Sequence, residues 1–203
     1  MAYSVGIYIF DNVEVLDFAG PYEVFTTASR VFNKTSSASL ENLPFEVFTV
    51  GKTKKSIYAR AGLKLHPDYS ITSHPTPDLL LIPGGVVTKE LEDADIISWI
   101  KSTSTFTTIT ASICTGAFLL AKAGLLEGKS STTHWEDIDD LRAMFPTLHV
   151  KENQRWVDEG SIVTSAGISA GIDMSLHLVE RLMGQELALN TARQMEFDWT
   201  QNS

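Results

Sequence analysis

The chain alternates between short apolar runs and longer stretches in which apolar residues recur at helical spacing. Strand-like runs cover residues 3–10, 45–50, 78–82, 107–113 and 161–164. After Asp78 the run at 78–82 is continuously apolar, which is typical of a central parallel strand covered by helices on both faces. Strands that alternate with helices indicate βαβ units. The pattern therefore predicts an α/β fold with a mostly parallel sheet.

Helical patterns fill most of the chain between these runs. They are predicted from Pro21 to about Val31 and over residues 88–101, 116–123, 136–145, 168–183 and 186–197. A hairpin is predicted within 57–65, a polar surface loop at 33–44, and a strand–turn–strand unit at 155–164. No internal repeat and no long linker interrupts the pattern. We therefore expect one domain over residues 1–203, a three-layer α/β/α sandwich.

The stretch TTITASICTGAFLLAKAGLL changes period at its cysteine. The residues before Cys114 are β-branched and favour a strand, and those after it favour a helix that Gly124 is placed to end. A side chain at such a junction is raised above the carboxyl edge of a parallel sheet. With serine, the same turn is the nucleophile elbow. The N–H groups of the following helix are expected to lower the pKa of the thiol and favour the thiolate.

The alternative for Cys114 is a small buried apolar residue, which is the usual role of a free cysteine. Its position at a strand-to-helix junction favours the nucleophile instead. Cys114 is the only cysteine in the chain, so no internal disulfide can form, and this fits a reducing cytoplasm.

Polar and flexible residues follow other strands and are expected at the same sheet edge. Asp17 precedes the helix at Pro21, where an acid can also act as a helix cap or complement the helix dipole. Gly84 and Gly85 follow the buried run at 78–82 and allow the backbone to approach a ligand closely, although they also suit a tight turn. His134 follows a short extended segment.

Together these residues are suited to covalent thiol chemistry. The Cys114 thiolate attacks an electrophilic carbon, and backbone N–H groups of Thr115 and Gly85 are expected to hold the charge that develops. A protonated Asp17 can hydrogen-bond the sulfur and pass a proton to the substrate.

Composition and missing motifs narrow the function. The net charge is −9 and no basic cluster occurs, so nucleic-acid binding is disfavoured. The N-terminal MAYSVGIYIF lacks the basic region of a signal peptide, and no apolar run could span a bilayer. Metal-site spacings, a P-loop, GxGxxG after the first strand and GxSxG are all absent. We expect no metal, no cofactor and no membrane partner.

Four segments make the family recognisable: LDFAGPYEVF, LLLIPGG, ASICTGAFLLAKAGLLEGKSSTTHW and RWVDEGSIVTSAGISAGIDMSLHLVERLMG. They closely resemble the ThiJ/PfpI superfamily of the class I glutamine amidotransferase-like fold. Within it the resemblance is nearest to isonitrile hydratase and to the ligand-sensing domains of AraC-type regulators. It implies a flavodoxin-like fold and a homodimer.

The resemblance places the family's nucleophile on Cys114 and its acidic partner on Asp17, where many members have glutamate. His134, in TTHW, matches a histidine found near the thiol in some branches and is expected as an auxiliary site residue. Thr115 occupies the position at which the protease-like branch has histidine. The Cys-His dyad of those peptidases is therefore missing, and peptidase activity is disfavoured.

Three functions follow from these residues. The first is a cysteine-dependent enzyme that acts on a small electrophile, most concretely the hydration of an isonitrile to an N-substituted formamide. The second is glyoxalase- or deglycase-like chemistry on α-oxoaldehydes, with Asp17 and His134 moving protons. The third is a non-catalytic small-molecule or redox sensor, since exposed thiols of low pKa oxidise selectively. The final stretch ALNTARQMEFDWTQNS is neither long nor basic enough to be a helix-turn-helix, so a chain that ends there is not expected to act as a transcription factor by itself.

Overall fold

The computed structural model describes residues 2–36 and 43–202. Its strands are β1 (Tyr3–Tyr8), β2 (Phe45–Gly51), β3 (Ile57–Tyr58), β4 (Lys64–Leu65), β5 (Tyr69–Ser70), β6 (Leu79–Ile82), β7 (Ile109–Ile113), β8 (Ser130–Ser131), β9 (His149–Val150), β10 (Trp156–Asp158) and β11 (Ile162–Ser165). Its helices are α1 (Val15–Ser36), α2 (Thr88–Glu92), α3 (Ala94–Ser104), α4 (Gly116–Lys122), α5 (Ile138–Met144), α6 (Ala170–Met183) and α7 (Gln185–Gln194). Strands and helices alternate as the sequence predicts.

The central sheet has seven strands in the order β10-β11-β7-β6-β1-β2-β5. Every neighbouring pair is parallel except β10 and β11, so the prediction of a mostly parallel sheet is confirmed. Every residue of β6 and β7 is buried, because helices cover both faces of the sheet at its centre. The predicted hairpin at 57–65 is the antiparallel pair of β3 and β4.

The helices form two groups, which flank the sheet. α1, α6 and α7 pack against one another, and α2, α3 and α4 form the second group. α6 illustrates why: Ile172, Leu176 and Val179 recur at helical spacing and are all buried. The three-layer sandwich predicted from the sequence is confirmed.

Helix α1 is longer than the sequence pattern predicts. It begins at Val15, before Pro21, which therefore lies inside the helix and not in its first turn. In the second turn of a helix a proline removes one backbone hydrogen bond and crowds the carbonyl four residues earlier, here that of Asp17, so the packing of α1 against α6 and α7 must offset this cost. Asp17 consequently lies within the first turn and not ahead of the helix. The helix also takes up the beginning of the loop predicted at 33–44, of which residues 37–42 lie outside the described residues.

The single helix predicted over 88–101 is two helices. Asp93 interrupts it with an extended backbone, and its carboxylate accepts hydrogen bonds from the N–H groups of Asp95 and Ile96. Aspartate is among the preferred N-cap residues because it satisfies these otherwise unpaired donors. The apolar period continues across the cap, so periodicity alone did not reveal the break.

Parallel strands bring their carboxyl ends to one edge of the sheet. The segments that leave β1, β6 and β7 at this edge carry Asp17, the Gly84–Gly85 pair and the Cys114–Thr115 pair, whereas His134 follows β8 of a separate two-stranded sheet. Within the described ranges, no helix is long and apolar enough to cross a membrane.

Candidate active site

Cys114 occupies a sharp turn between β7 and α4. Its φ is +55°, a left-handed conformation that costs energy in a residue with a side chain. Neighbouring segments fix the turn from both sides: the Cys114 N–H donates to the Ser165 carbonyl (3.2 Å), and its carbonyl accepts from the Thr133 hydroxyl (2.9 Å). The predicted nucleophile elbow is therefore present.

Gly116 lets the helix after the elbow begin directly against β6. A Cβ atom at this position would lie 2.0 Å from the Ile82 carbonyl oxygen, a distance that no real side chain could adopt. Only glycine permits this approach of helix and strand, so the TGA following Cys114 is needed to set the position of the thiol.

Asp17 is fully buried beside the thiol. Its Oδ2 accepts a hydrogen bond from the Gly84 N–H (3.0 Å), while Oδ1 has no hydrogen-bond partner among the described residues. Burial raises the pKa of Asp17 to about 7. The Gly84 N–H and the adjacent Cys114 thiol both lower this pKa, and the charge of Glu14 raises it. Near neutral pH the carboxyl group is therefore poised to give or take a proton.

The thiol of Cys114 differs from the sequence prediction in its acidity. Burial raises its pKa above its usual range, and the negative charge of Asp17 acts in the same direction. The backbone N–H and hydroxyl of Thr115 lower the pKa, as expected at the start of a helix, but they do not outweigh the other two causes. The predicted free thiolate is wrong; a thiolate forms here only when its proton passes to a neighbour such as Asp17.

Thr115 and Gly85 are joined to each other. The Thr115 hydroxyl donates to the Gly85 carbonyl (2.9 Å), and the Gly85 N–H donates to the same hydroxyl oxygen (2.9 Å). Both backbone donors of the glycine pair thus have partners inside the protein, Gly84 through Asp17 and Gly85 through Thr115. The expectation that Gly85 offers an N–H to substrate is corrected accordingly, because that donor is already engaged.

His134 lies on the same cavity as the thiol, and its side chain is mostly buried. Its Nδ1 accepts a hydrogen bond from the Glu136 N–H (3.4 Å) and lies 3.3 Å from Asp137 Oδ2. A Cβ atom at Gly167 would lie 2.7 Å from Cys114 Sγ and 2.6 Å from His134 Cδ2. The sulfur and the edge of the imidazole ring therefore face the same small space, which Gly167 keeps open.

The thiol, only 6% exposed, lines a cavity of about 330 Å³. Gly85, Thr115 and His134 share this cavity, so three of the other predicted residues line it directly. Five further residues line it that the sequence analysis did not identify: Glu14, Arg60, Glu136, Asp137 and Ile168.

The residues that were missed carry weak signals in the sequence. Arg60 comes from the β3–β4 hairpin and lies 3.2 Å from Glu14, so only the folded chain brings this ion pair to the cavity. Asp137 belongs to an acidic run that reads as an exposed helix start. Gly167, in SAGIS, could have been noted as a glycine directly after a strand.

Metal binding has no evident support at this site. Within residues 2–36 and 43–202, no group of three or more His, Cys, Asp or Glu side chains is placed to hold a metal ion.

Comparison with known proteins identifies relatives that match nearly the whole chain. The chain is 34% identical to isonitrile hydratase of Pseudomonas putida over 198 residues, which cover 97% of this chain and 79% of that protein. It is 27% identical to the HTH-type transcriptional regulator GbdR of Pseudomonas aeruginosa, and spans 48% of that protein's length.

A solved structure of a ThiJ/PfpI family protein from Pseudomonas syringae has the same fold, with a TM-score of 0.84 at 24% identity over 99% of this chain and 77% of that one. Residues 3–181 match the DJ-1/PfpI family. This match and the 34% identity bear out the resemblance drawn from the four sequence segments, and the chain belongs to the DJ-1/PfpI family.

Proposed function

We propose that this protein is a cysteine-dependent enzyme that hydrates isonitriles to N-substituted formamides. The observation that carries the proposal is the fully buried Asp17 carboxyl group next to the Cys114 thiol, which lines a cavity. Sequence identity to an isonitrile hydratase over nearly the whole chain supports the choice of substrate.

The pair supplies a nucleophile and an acid from one shared proton. With Asp17 near a pKa of 7 and the thiol pKa raised, the pair holds one proton just above neutral pH. Transfer of that proton from sulfur to Oδ1 or Oδ2 creates a thiolate and a carboxylic acid together. The unpartnered Oδ1 is a suitable site for the proton because no protein donor competes for it within the described chain.

The first half of the reaction forms a carbon–sulfur bond. The Cys114 thiolate adds to the terminal carbon of the isonitrile, and that carbon takes the proton from Asp17, giving a thioimidate, R–N=CH–S–Cys. The isonitrile carbon thereby gains one hydrogen, and the Cys114–Asp17 pair loses its proton. Asp17 is then an anion and can accept a proton from water.

The second half returns the enzyme to its starting state. The water oxygen bonds to the thioimidate carbon while Asp17, as general base, takes one proton from the water. That proton passes to the nitrogen and gives R–NH–CH(OH)–S–Cys. The tetrahedral adduct collapses to R–NH–CHO with the C–S bond broken, and the sulfur leaves with one proton shared again with Asp17. The net reaction adds one water to the isonitrile.

The remaining site residues support this pair. Gly84 orients Asp17 through its N–H, and the Gly85–Thr115 hydrogen bonds fix the loop against the elbow. The Thr115 backbone N–H, which already favours the charged sulfur, is the donor that can stabilise charge near the reacting carbon. His134 is proposed as an auxiliary group for binding or proton transfer.

The test is Cys114→Ala, with formamide production followed on a series of isonitriles. Alanine retains a Cβ at the left-handed position, so the backbone strain is matched and only the sulfur is lost. We expect no formamide above the uncatalysed rate, and a covalent mass increase on wild-type Cys114 during turnover. Unchanged turnover in Cys114→Ala would end the proposal.

The sensor alternative rests on a separate observation. Regulators such as GbdR match this domain over about half their own length. Tight binding of a small molecule without turnover of isonitriles or of methylglyoxal would favour that role, and turnover of methylglyoxal alone would favour α-oxoaldehyde chemistry. A cytoplasmic location and a homodimer are proposed on the family resemblance and the single thiol.

A further inference from the structure

A second cavity adjoins the one that holds the thiol. It measures about 640 Å³ and shares three lining residues with the thiol cavity, namely Gly85, Thr115 and Asp137. We call it the α2–α5 groove, because its walls come from the start of α2, from α5 and from Phe118 on α4. Because the two cavities share these residues they lie side by side, and a molecule attached at Cys114 would reach the groove past the Gly85–Thr115 pair.

Apolar side chains come from just over half of the residues that line the α2–α5 groove. Its apolar lining residues are Val86, Val87, Leu91, Phe118, Ala143 and Met144. Val86 is 49% exposed and Met144 is 54% exposed, whereas Phe118 is almost fully buried. Exposed apolar side chains gathered around a concave surface next to a reactive group indicate a binding function.

Apart from Ile168, the other side chains that line the thiol cavity are polar. Glu14 and Arg60 form an ion pair on one wall of the thiol cavity, and His134 and Asp137 stand on another. An apolar substituent would have to desolvate these charges without replacing their hydrogen bonds, which is unfavourable. An apolar substituent that extends into the α2–α5 groove instead gains apolar contacts.

The charges along the groove also select against anions. Asp137 and Asp140 line it, and no basic side chain is among its lining residues. A carboxylate or phosphate on the substituent would meet like charge at this edge.

We infer that the α2–α5 groove binds the substituent of the substrate, and that this substituent is an uncharged, bulky apolar group such as a cycloalkyl or aryl ring. The inference rests on the proposed function for the head group of the substrate, since it takes Cys114 as the point of attachment. It adds which isonitriles are suitable: those with a bulky apolar substituent in place of a methyl or a carboxyalkyl group.

The experiment separates the groove from isonitrile chemistry. N-cyclohexylmaleimide and N-methylmaleimide carry the same thiol-reactive ring, so the ratio of their rates of alkylation at Cys114, followed by intact mass, reports the substituent alone. In the double variant Val86→Thr/Met144→Gln the side chains keep their size and lose apolar character. We expect the cyclohexyl-to-methyl ratio to fall roughly tenfold in this variant, as loss of two apolar contacts implies.

The matched control is Leu189→Gln on α7, which removes an equally exposed apolar residue (50%) from a surface that belongs to neither cavity. The ratio is expected to stay at the wild-type value in this control. An unchanged cyclohexyl-to-methyl rate ratio in the double variant overturns the proposed binding role of the groove. Equal slowing of both reagents, together with a change in oligomeric state, also overturns it, because the groove face is then covered by a second copy of the chain.

Isonitrile turnover measured on the same proteins separates the two proposals. If cyclohexyl isonitrile is not hydrated but the maleimide ratio behaves as expected, the proposed function fails and the groove stands. If cyclohexyl and methyl isonitriles are hydrated equally well and the ratio is unchanged in the variant, the groove fails and the function stands. A Cys114 that reacts with neither maleimide removes the nucleophile, and with it both proposals.

Discussion

Two aspartates in this protein are equally buried but have opposite surroundings. Asp17 lies in the first turn of α1 and Asp173 in the first turn of α6, and neither side chain reaches solvent. The Arg155 guanidinium donates to Asp173 Oδ2 from two nitrogens, and the Thr200 N–H donates to its Oδ1 (2.8 Å). Both oxygens of Asp173 are therefore satisfied.

Asp17 has far fewer partners for its charge. One backbone N–H reaches Oδ2, Oδ1 has no partner within the described residues, and no cation forms an ion pair with it among the described salt bridges. Burial consequently raises its pKa to about 7. The comparison shows that this fold can provide hydrogen-bond partners for both oxygens of a buried carboxylate. The shortage of partners at Asp17 is therefore a local property of the thiol site.

The sharpest test of the comparison is the activity of Asp17→Asn against Asp173→Asn. Asparagine at 17 keeps the size and an acceptor for Gly84 but cannot carry the proton, so we expect isonitrile turnover to fall by roughly 10² to 10⁴. At 173 the same change leaves the proton chemistry intact, and turnover per folded molecule should stay within about tenfold of wild type. Steady-state rates normalised to folded protein measure both. Similar losses in the two variants would mean that Asp17 acts only through structure.

Stability should respond in the reverse order. Asp173→Asn leaves the Arg155 charge without its buried counter-ion and weakens the acceptor for Thr200. We expect the free energy of unfolding to drop by about 3 kcal/mol, the cost of breaking a buried ion pair from one side. Urea denaturation followed by circular dichroism measures this loss. A drop no larger than that of the exposed Leu189→Gln control would show that the pair is not a major contributor.

The pH dependence of stability distinguishes Asp17 from a satisfied carboxylate. Its folded-state pKa of about 7 lies above the ordinary value of 3.8, so the folded protein holds a proton that the unfolded chain releases. The stabilisation from this proton is complete below the ordinary pKa and disappears as pH rises through about 7. From about pH 5 to pH 8, wild type should lose about 2 kcal/mol more stability than Asp17→Asn. Parallel curves for the two proteins would place the pKa of Asp17 near its ordinary value.

The smallest expected effect is the shape of the pH–rate profile. The active form of the pair holds one proton, and below pH 7 a second proton blocks formation of the thiolate. The value of kcat/KM should therefore fall about tenfold for each pH unit below 7 and stay level just above it. Stopped assays over a pH series check this, with substrates lacking titratable groups as the control. A rate that rises as pH falls would contradict the proposed role of the shared proton.

The elements that determine the site were predictable to different degrees. Cys114 was identified because a β-branched run ends there and a helical run begins, and this local signal is enough to predict an elbow. Asp17 was identified through LDFAGP and the family resemblance, but its place inside α1 was not, because Pro21 suggested a later start. Both are local features that a sequence carries directly.

The energetic properties of the site were less accessible. The thiol pKa depends on burial and on the charge of Asp17, both of which arise only when β7 and α1 meet in the folded chain. Arg60 and Glu14 come together across 46 positions of sequence. The space kept by Gly167 depends on atoms of Cys114 and His134 contributed by separate segments. Such properties are set by long-range packing, which periodicity and local motifs do not encode.

The left-handed backbone at Cys114 has a consequence for how this protein can be altered. The left-handed conformation destabilises a residue with a side chain by roughly 1 kcal/mol or more, whereas it does not destabilise glycine. A Cys114→Gly variant should thus melt at a higher temperature than Cys114→Ala, while neither retains chemistry. The native state is therefore less stable than it would be with glycine at position 114. Directed evolution for heat resistance alone would tend to replace the nucleophile.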